Sequence, residues 1–342
     1  MSSDLVLITG ATGHVGFRVL VVTLEAGYRV RAAVRNQEKA DTILAAPSIK
    51  ALNPGSRLTF TFVPDILADG AFDEAVKGVD SIIHIASPIV TGIPSDKFET
   101  HLIQPAVKGT TGILYSAKSN PNIRRIVITS SEVAVIPWEP LIAVETGDIF
   151  TDSNRIQSPI GPYGSEFEAY AASKAIALNK TEEFIQTEKP SFDVINVMPS
   201  YVIGKNELVT DAKNITVGTN GAAFGPVLGV DAKLARPGTT VHLDDVARVH
   251  VLALDPKIPG NQSFFLNSEG LKGTIWEDAI DIVASNFPEA VKKGVLPNNG
   301  KAPTKSTKID ARRTEEVFGF KFKSYEEQVL SVTRHYLELI GF

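Results

Sequence analysis

The chain has 342 residues, of which 43% are hydrophobic and 21% charged, and its formal net charge is −5. This composition is typical of a soluble globular protein, and the length predicts one large domain with a smaller lobe. Mild acidity without a basic tract argues against nucleic-acid binding. The absence of cysteine excludes disulfides and thiolate chemistry. The six histidines show no metal-ligand spacing, so we predict no metal site.

The segment MSSDLVLITG lacks a basic region, and its apolar run stops at Gly10. It is predicted to be a strand rather than a signal peptide. No apolar run approaches the ~20 residues that a membrane-spanning helix needs. These features favour a cytoplasmic protein with no membrane partner.

Short β-branched runs alternate with amphipathic stretches over the first 200 residues. The β-branched runs predict strands at 5–10, 29–35, 58–65, 81–87, 125–131 and 192–200. Helical periodicity predicts helices between them, at 14–26, 37–46, 70–77, 97–118 and 165–187. Strands that are apolar on both faces and separated by helices predict a parallel sheet covered on both sides. Right-handed crossovers make this an α/β doubly wound parallel sheet, a Rossmann fold.

The alternation ends after residue 200, where a stretch rich in Gly, Asn and Thr has weak periodicity. We predict a Rossmann domain over 1–200, to which a helix and a strand at 241–268 return. Residues 201–240 and 269–342 are predicted to form a smaller substrate-binding lobe.

Gly10, Gly13 and Gly16 follow the first predicted strand and open the first predicted helix. Glycine permits a tight turn and lets a pyrophosphate approach the backbone, while the helix N-terminus supplies free N–H groups. A tight turn without a ligand is the alternative. Because the strand, turn and helix stand in the required order, we predict a dinucleotide site here.

The end of the second predicted strand indicates which dinucleotide binds. An NAD site usually carries Asp or Glu there to bind the ribose 2′-OH. This chain instead has Arg35 at that point and Lys39 one helical turn later. A guanidinium suits a 2′-phosphate by charge and bidentate geometry, so we predict NADP, bound as NADPH. The alternative for Arg35 is a solvated charge at the strand end.

Tyr170 and Lys174 stand four residues apart in the predicted helix 165–187 and therefore share one helix face. An ammonium beside a phenol stabilises the phenolate and lowers the tyrosine pKa from about 10 toward the working range. The same spacing arises by chance in many helices. The pair alone therefore does not identify a site.

Ser131 supplies a second signal, because it ends the predicted strand 125–131. Open parallel sheets bind their ligands at this carboxyl edge. A hydroxyl there can hold a substrate oxygen against Tyr170. We therefore predict that Ser131, Tyr170 and Lys174 are the catalytic residues.

The motifs TGATGHVG, VRAAVR, VPDIL, HIASP, VITSSE, YAASK and MPSYVIG occur in this order. Together they resemble the extended short-chain dehydrogenases/reductases. The chain is similar to the dihydroflavonol-reductase-like branch of that family, especially its fungal and yeast methylglyoxal-type aldehyde and ketone reductases. The resemblance covers residues 4–255 well and the C-terminal lobe loosely. The pattern N-W-Y-C-Y-G-K of plant cinnamoyl-CoA reductases is absent, so CoA-ester chemistry is not implied.

The resemblance also implies residues that contact the cofactor. Besides the glycines, Arg35, Lys39, Tyr170 and Lys174, these are Thr12, His14, Val15, Asp65, Ile66, Ile85, Ala86, Ser87, Pro199 and Val202. Lys174 is expected to hydrogen-bond the nicotinamide ribose. His84 stands on an apolar strand, where a core position suits its ring best.

Mostly apolar residues are the candidates for a substrate pocket: Pro88, Ile89, Val90, Val133, Tyr201 and Phe224. A core position is equally compatible with Phe224. This lining favours a small hydrophobic carbonyl substrate. We therefore predict an NADPH-dependent carbonyl reductase that converts a ketone or aldehyde to an alcohol, with Tyr170 as proton donor.

Three alternatives share parts of this pattern. An NAD-dependent nucleotide-sugar epimerase or dehydratase would need basic residues late in the chain, such as Arg236 and the pair Arg312 and Arg313. A 3β-hydroxysteroid-type dehydrogenase is the second, and a non-catalytic NADP(H)-binding sensor is the third. The chain is predicted to be a monomer or a homodimer, because helices 97–118 and 165–187 can either pair between subunits or simply cover the sheet.

Overall fold

The computed structural model describes residues 4–88, 92–143 and 145–342. The chain divides into two compact units. The first unit comprises Met1–Trp138, Asp152–Met198 and Ala247–Phe264. The second unit comprises Glu139–Thr151, Pro199–Val246 and Phe265–Phe342.

Strands and helices alternate along the first 200 residues. In chain order the strands are β1 (Leu5–Thr9), β2 (Arg29–Val34), β3 (Leu58–Phe62), β4 (Ser81–His84), β5 (Arg125–Thr129), β6 (Glu145–Thr151), β7 (Asp193–Pro199), β8 (Tyr201–Ile203), β9 (Arg236–Pro237), β10 (Thr240–His242), β11 (Gln262–Leu266) and β12 (Thr304–Asp310). The α-helices are α1 (His14–Glu25), α2 (Gln37–Ala45), α3 (Pro47–Leu52), α4 (Gln104–Lys118), α5 (Trp138–Ile142), α6 (Glu166–Glu188), α7 (Asn220–Phe224), α8 (Leu243–Leu252), α9 (Asp278–Asn286), α10 (Pro288–Lys292), α11 (Arg312–Phe318) and α12 (Tyr325–Ile340).

A seven-stranded sheet organises the first unit, in the order β11-β7-β5-β4-β1-β2-β3. The pairs β5–β7, β4–β5, β1–β4, β1–β2 and β2–β3 are parallel. Leu7 and Ile82, on the central strands, are fully buried, which explains why these strands are apolar on both faces. The strand order reverses between β1 and β4, and this switch point is where such sheets bind ligands. The predicted α/β doubly wound parallel sheet is confirmed.

The predicted helix at 70–77 is wrong. Residues 71–78 form consecutive turns, in which the bond from Val76 N to Phe72 O has helical spacing. Gly70 and Gly78 bound the segment with φ of +67° and +69°, and so short a stretch does not offset the cost of helix nucleation. The apolar periodicity reflected burial instead, because Phe72 and Val76 pack in the core of the first unit.

The helix predicted at 97–118 begins later than expected. A 3₁₀ turn at Ser95–Lys97 and a π-helical turn at Glu99–Ile103 precede α4. Pro105 lies in the first turn of α4 and has no N–H to give to the turn before it. The helix is locally wider at this point, because Gln104 N donates its hydrogen bond to Glu99 O, five residues earlier.

The second unit contains a three-stranded sheet, β6-β12-β9, and a two-stranded sheet, β8-β10. Its core centres on Trp276, which is 1% exposed and lies edge-on to Tyr201 and Tyr325. Residues 139–151 belong to this unit because β6 pairs with β12. The sequence interpretation placed that stretch in the Rossmann domain. Local sequence patterns could not show otherwise, because β12, the strand that pairs with β6, lies more than 150 residues further along the chain.

No helix in the described ranges has both the length and the apolar character needed to cross a membrane. Within the same ranges, no group of three or more His, Cys, Asp or Glu residues is arranged to hold a metal ion.

Candidate active site in the first unit

The loop between β1 and α1 is built on glycine. Gly10 has a φ of +75°, and a Cβ there would lie 2.7 Å from Ala86 N. A Cβ on Gly16 would lie 2.0 Å from Gly10 O, so the turn closes only without a side chain at that position. Gly13, by contrast, is exposed, and the nearest atom to its Cβ position is Gly10 O at 3.4 Å. Gly10 and Gly16 shape the turn, whereas Gly13, the middle glycine, faces solvent.

The helix that follows this turn begins without a side-chain cap. Within the described residues of α1, the first turn carries no acidic side chain and Gly13 provides no side-chain cap. The N–H groups and the positive end of the helix dipole therefore suit an anion. Thr12, His14 and Val15, the other residues predicted here, are all partly exposed at this end of the helix.

Thr9, at the end of β1, connects the turn to β4. Its Oγ1 accepts hydrogen bonds from Ile85 N and Ala86 N, both at 3.1 Å, and lies 2.9 Å from His84 Nδ1. Burial, followed by the positive charge of Lys174, lowers the pKa of His84 to about 4, so the ring is neutral. Thr9 was not among the predicted site residues. A polar residue ending a buried strand, directly before a glycine turn, is the sequence signal that could have identified it.

The residues predicted to bind the adenosine half of the cofactor follow β2 and β3. Arg35 is exposed just beyond β2, and Lys39 is partly exposed in the first turn of α2. Asn36 caps that helix by accepting a hydrogen bond from Lys39 N at 3.1 Å. Asp65 is exposed and accepts a hydrogen bond from Leu67 N at 2.8 Å, while Ile66 is partly buried.

The three predicted catalytic residues lie together at the carboxyl edge of the sheet. Ser131 follows β5 and is 9% exposed, and its side chain is hydrogen-bonded to that of Tyr170. Lys174 Nζ lies 5.6 Å from the centroid of the Tyr170 ring. The same Nζ donates a hydrogen bond to Ser87 Oγ at 3.3 Å, which joins α6 to the segment after β4.

Burial dominates the electrostatics of this cluster. It raises the pKa of Tyr170, with a smaller raising effect from the charge of Glu132, while the hydrogen bond with Ser131 lowers it. Burial also lowers the pKa of Lys174 to about 8. The outcome differs from the predicted lowering of the tyrosine pKa by Lys174. Loss of hydration at both groups outweighs their attraction at this separation.

Sequence reasoning did not single out Phe167 or Glu132 as neighbours of the catalytic cluster. The Phe167 ring stacks on the Tyr170 ring at 6.4 Å with an angle of 18°, and Trp138 lies 5.8 Å from Phe167. Phe167 precedes Tyr170 by three residues, a spacing that could have indicated contact on a helix. Glu132 directly follows Ser131 and is only 2% exposed. A carboxylate immediately after the TSS triplet was visible in the sequence.

The pocket residues predicted in the first unit have different surroundings. Val133 lines a cavity of about 60 Å³ together with Trp138 and Ile160. Pro88 is partly buried, with its Cδ 3.6 Å from the Cβ position of Gly109. Ile89 and Val90 lie outside the described residues.

Four predicted residues belong to the second unit. Pro199 and Val202 are buried, and Val202 pairs with Val241 between β8 and β10. Tyr201 is partly buried against Trp276, with the ring centroids 5.3 Å apart. Phe224 is 1% exposed and packs against Tyr336, which agrees with the core position that the sequence left open for it and not with a pocket wall.

Similarity to known proteins covers nearly the whole chain. The NAD dependent epimerase/dehydratase family matches residues 6–264. Ketoreductase CTB6 of Cercospora beticola is 42% identical over 346 residues, covering 99% of this chain and 96% of that protein. The putative NADPH-dependent methylglyoxal reductase GRP2 of Candida albicans is 29% identical, with coverage of 96% and 97%.

Solved structures share the fold. Gre2 of Candida albicans in complex with NADPH has a TM-score of 0.83 at 24% identity, covering 98% of this chain and 99% of that one. A reductase engineered to attenuate substrate inhibition in asymmetric catalysis has a TM-score of 0.80 at 26% identity, with coverage of 98% and 100%. The family resemblance read from the motifs is confirmed. The chain belongs to the NAD dependent epimerase/dehydratase family and is an oxidoreductase of the extended short-chain dehydrogenase/reductase group.

Proposed function

We propose that this protein is an NADPH-dependent carbonyl reductase that converts a hydrophobic ketone or aldehyde to an alcohol. The observation that carries the proposal is the cluster of Ser131, Tyr170 and Lys174 at the carboxyl edge of the sheet. Relatives described as ketoreductases support the same chemistry. Their similarity spans almost the full chain, so the comparison concerns the whole protein.

The first unit fits a dinucleotide. The open position at Gly13 and the uncapped start of α1 suit a pyrophosphate, and the exposed guanidinium of Arg35 suits a 2′-phosphate. Lys174 and Ser87, two further residues predicted to contact the cofactor, are hydrogen-bonded to each other in the same unit. When bound, NADPH supplies the hydride that reduces the carbonyl carbon.

The side chains supply the proton and the orientation. Ser131 donates a hydrogen bond to the carbonyl oxygen and holds it beside Tyr170. As the carbon gains the hydride, the Tyr170 hydroxyl gives its proton to the oxygen and becomes a phenolate, so the product is the neutral alcohol. The charge of Lys174 lies on the same helix face, where it stabilises the phenolate once it forms.

The direct test follows NADPH absorbance with a panel of small and bulky ketones and aldehydes. Oxidation of NADPH that depends on the carbonyl compound supports the proposal. Recovery of tightly bound NAD from the purified protein, with no NADPH oxidation by any carbonyl, would instead favour an epimerase or dehydratase. Stoichiometric NADPH binding without turnover would favour a sensor.

Replacing Arg35 with aspartate is expected to lower the preference for NADPH over NADH by about 10- to 100-fold, because a charge-assisted hydrogen bond to the 2′-phosphate is lost and replaced by repulsion. The ratio of kcat/KM for the two cofactors measures this. Lys50→Asp, an exposed charge reversal on α3, is the control for a general electrostatic effect. An unchanged ratio in the Arg35 variant would show that Arg35 does not contact the cofactor.

Arg312, one of the basic residues that an epimerase or dehydratase would need to bind a nucleotide-sugar diphosphate, is already engaged within the protein. Arg312 pairs with Asp310, donating from Nε to both carboxylate oxygens at 2.9 and 3.1 Å. A guanidinium already engaged in this way has less capacity to bind a diphosphate. We therefore favour carbonyl reduction over epimerisation.

A further inference from the structure

A third polar side chain stands in line with the two catalytic residues of α6. Glu166, Tyr170 and Lys174 follow one another at intervals of four residues, so they share one face of the helix. Four residues correspond to about 6 Å along the helix axis. The proposed mechanism and the proposed cofactor contacts give the Glu166 carboxylate no role.

Both ends of this row are hydrogen-bonded to the chain that follows β4. Lys174 Nζ donates to Ser87 Oγ at 3.3 Å, and Glu166 Oε2 accepts a hydrogen bond from Gly92 N at 3.2 Å. Ile93, which follows Gly92, packs against the same apolar cluster as Tyr170. The proton donor therefore lies between the two links, and the Glu166 carboxylate is one helical turn away from it.

The second oxygen of this carboxylate is free to bind a ligand. Within the described part of the chain, Glu166 Oε1 is buried and has no hydrogen-bond partner. The rings of Phe167 and Tyr170, which are stacked on each other, and the side chain of Ile93 make this surrounding largely apolar. Buried polar atoms in folded proteins are nearly always hydrogen-bonded, so an exception beside a reaction centre indicates a donor that the protein itself does not supply.

The position of Glu166 assigns this donor to the substrate. Lys174 is the end of the row that is expected to contact the nicotinamide ribose, and Glu166 lies on the other side of Tyr170. Glu166 also stands in the first turn of α6, where the positive end of the helix dipole and the N–H of Gly92 offset its negative charge. The free oxygen therefore suits a neutral hydroxyl better than a cation.

We propose that Glu166 is a specificity-determining residue whose free carboxylate oxygen accepts a hydrogen bond from a hydroxyl group of the carbonyl substrate. This inference rests on the proposed function and narrows its substrate class to hydroxylated ketones or aldehydes. Ser131 and Tyr170 hold the carbonyl oxygen, while Glu166 holds the hydroxyl about one helical turn away. A substrate held at two points presents its carbonyl carbon in one orientation.

The probes are the 2′-, 3′- and 4′-hydroxyacetophenones and their methyl ethers, which keep the oxygen but lose its proton. In the unmodified protein, kcat/KM for the 3′- or 4′-hydroxy compound is expected to exceed that for its ether about 10- to 100-fold, the usual effect of a hydrogen bond to a charged group. The 2′-hydroxy compound donates its proton to its own carbonyl oxygen and is expected to show little preference over its ether.

Glu166→Leu removes the acceptor and is expected to abolish the preference for the hydroxy compound while leaving NADPH affinity unchanged. Glu166→Gln keeps an acceptor without the charge and is expected to reduce the preference, so it decides the question if the leucine variant does not fold. An undiminished preference in Glu166→Gln overturns the inference.

Glu168→Leu is the matched control on the same helical turn. Glu168 also accepts a backbone hydrogen bond, from Gly164 N at 2.7 Å, but two residues rotate it about 200° around the helix from Glu166. This variant is expected to keep the preference for the hydroxy compound. Loss of the preference in both variants would assign it to the acidic first turn of α6 as a whole and overturn a specific role for Glu166.

A measurement without turnover separates this inference from the proposed function. Calorimetric titration of the NADP⁺-loaded protein with the same pairs of compounds gives their affinities directly. Tighter binding of a hydroxy compound than of its ether, lost in Glu166→Leu, supports the inference even if no carbonyl compound is reduced. Equal affinities in the unmodified protein, or a difference that survives in Glu166→Leu, overturn it even if the protein is an active reductase.

Discussion

Replacing Tyr170 with phenylalanine is expected to lower kcat for carbonyl reduction by about 10²–10⁴-fold, the usual contribution of a positioned general acid. The ring and its stacking on Phe167 are retained, so the site keeps its shape while losing the proton. Because no proposed contact to the adenosine half of the cofactor changes, NADPH should still bind. Stopped-flow measurement of hydride transfer and fluorescence titration of NADPH test the two halves of this expectation.

Tyr163→Phe is the matched control for the loss of a phenolic hydroxyl. Its hydroxyl donates a hydrogen bond to Pro159 O at 3.2 Å, outside the cluster of Ser131 and Lys174. This variant is expected to keep most of its turnover. Retention of more than about a tenth of kcat in Tyr170→Phe would show that another group delivers the proton.

Truncating Trp276 to alanine is expected to lower the free energy of unfolding of the second unit by about 3–5 kcal/mol, the usual cost of emptying a buried aromatic site. The indole is 1% exposed, and its Nε1 donates to Pro237 O at 3.0 Å. Its removal leaves a cavity between Tyr201 and Tyr325 and an unsatisfied carbonyl. Denaturant unfolding, monitored by far-UV circular dichroism, measures this decrease in the free energy of unfolding.

Two further substitutions serve as comparisons for the loss of unfolding free energy in Trp276→Ala. Trp276→Phe keeps an aromatic ring and is expected to cost less than the alanine variant, since the cavity is smaller. Ile275→Ala, at a neighbouring side chain that is 51% exposed, is expected to change the free energy by roughly 0.5 kcal/mol or less. A loss below about 1 kcal/mol in Trp276→Ala would show that the core relaxes to fill the space.

Local sequence signals predicted most of the first unit. β1 and α1 were recognisable because the apolar run, the glycines and the helical periodicity stand next to each other. The same holds for Tyr170 and Lys174, whose spacing places them on one helix face. Ser131 was recognisable from its position after an apolar strand.

Properties that depend on tertiary packing were not predictable in this way. The raised pKa of Tyr170 arises mainly from burial, which no spacing motif records. The turns at 71–78 bury their apolar side chains as a helix would. The apolar periodicity therefore predicted the burial correctly but not the hydrogen-bonding pattern. The role of Thr9 as an acceptor for Ile85 and Ala86 depends on β1 and β4 being neighbours.

The pairing of β6 with β12 has a consequence for biosynthesis. Glu145–Thr151 leaves the ribosome long before Thr304–Asp310, and its partner strand does not exist during that interval. The first unit likewise lacks its edge strand β11 until residue 266 has been made. Contacts of such long sequence separation form slowly and leave strand edges open to other chains. The growing chain therefore carries an unpaired β6 while residues 152–303 are made, and chaperone binding during translation should concentrate on that segment.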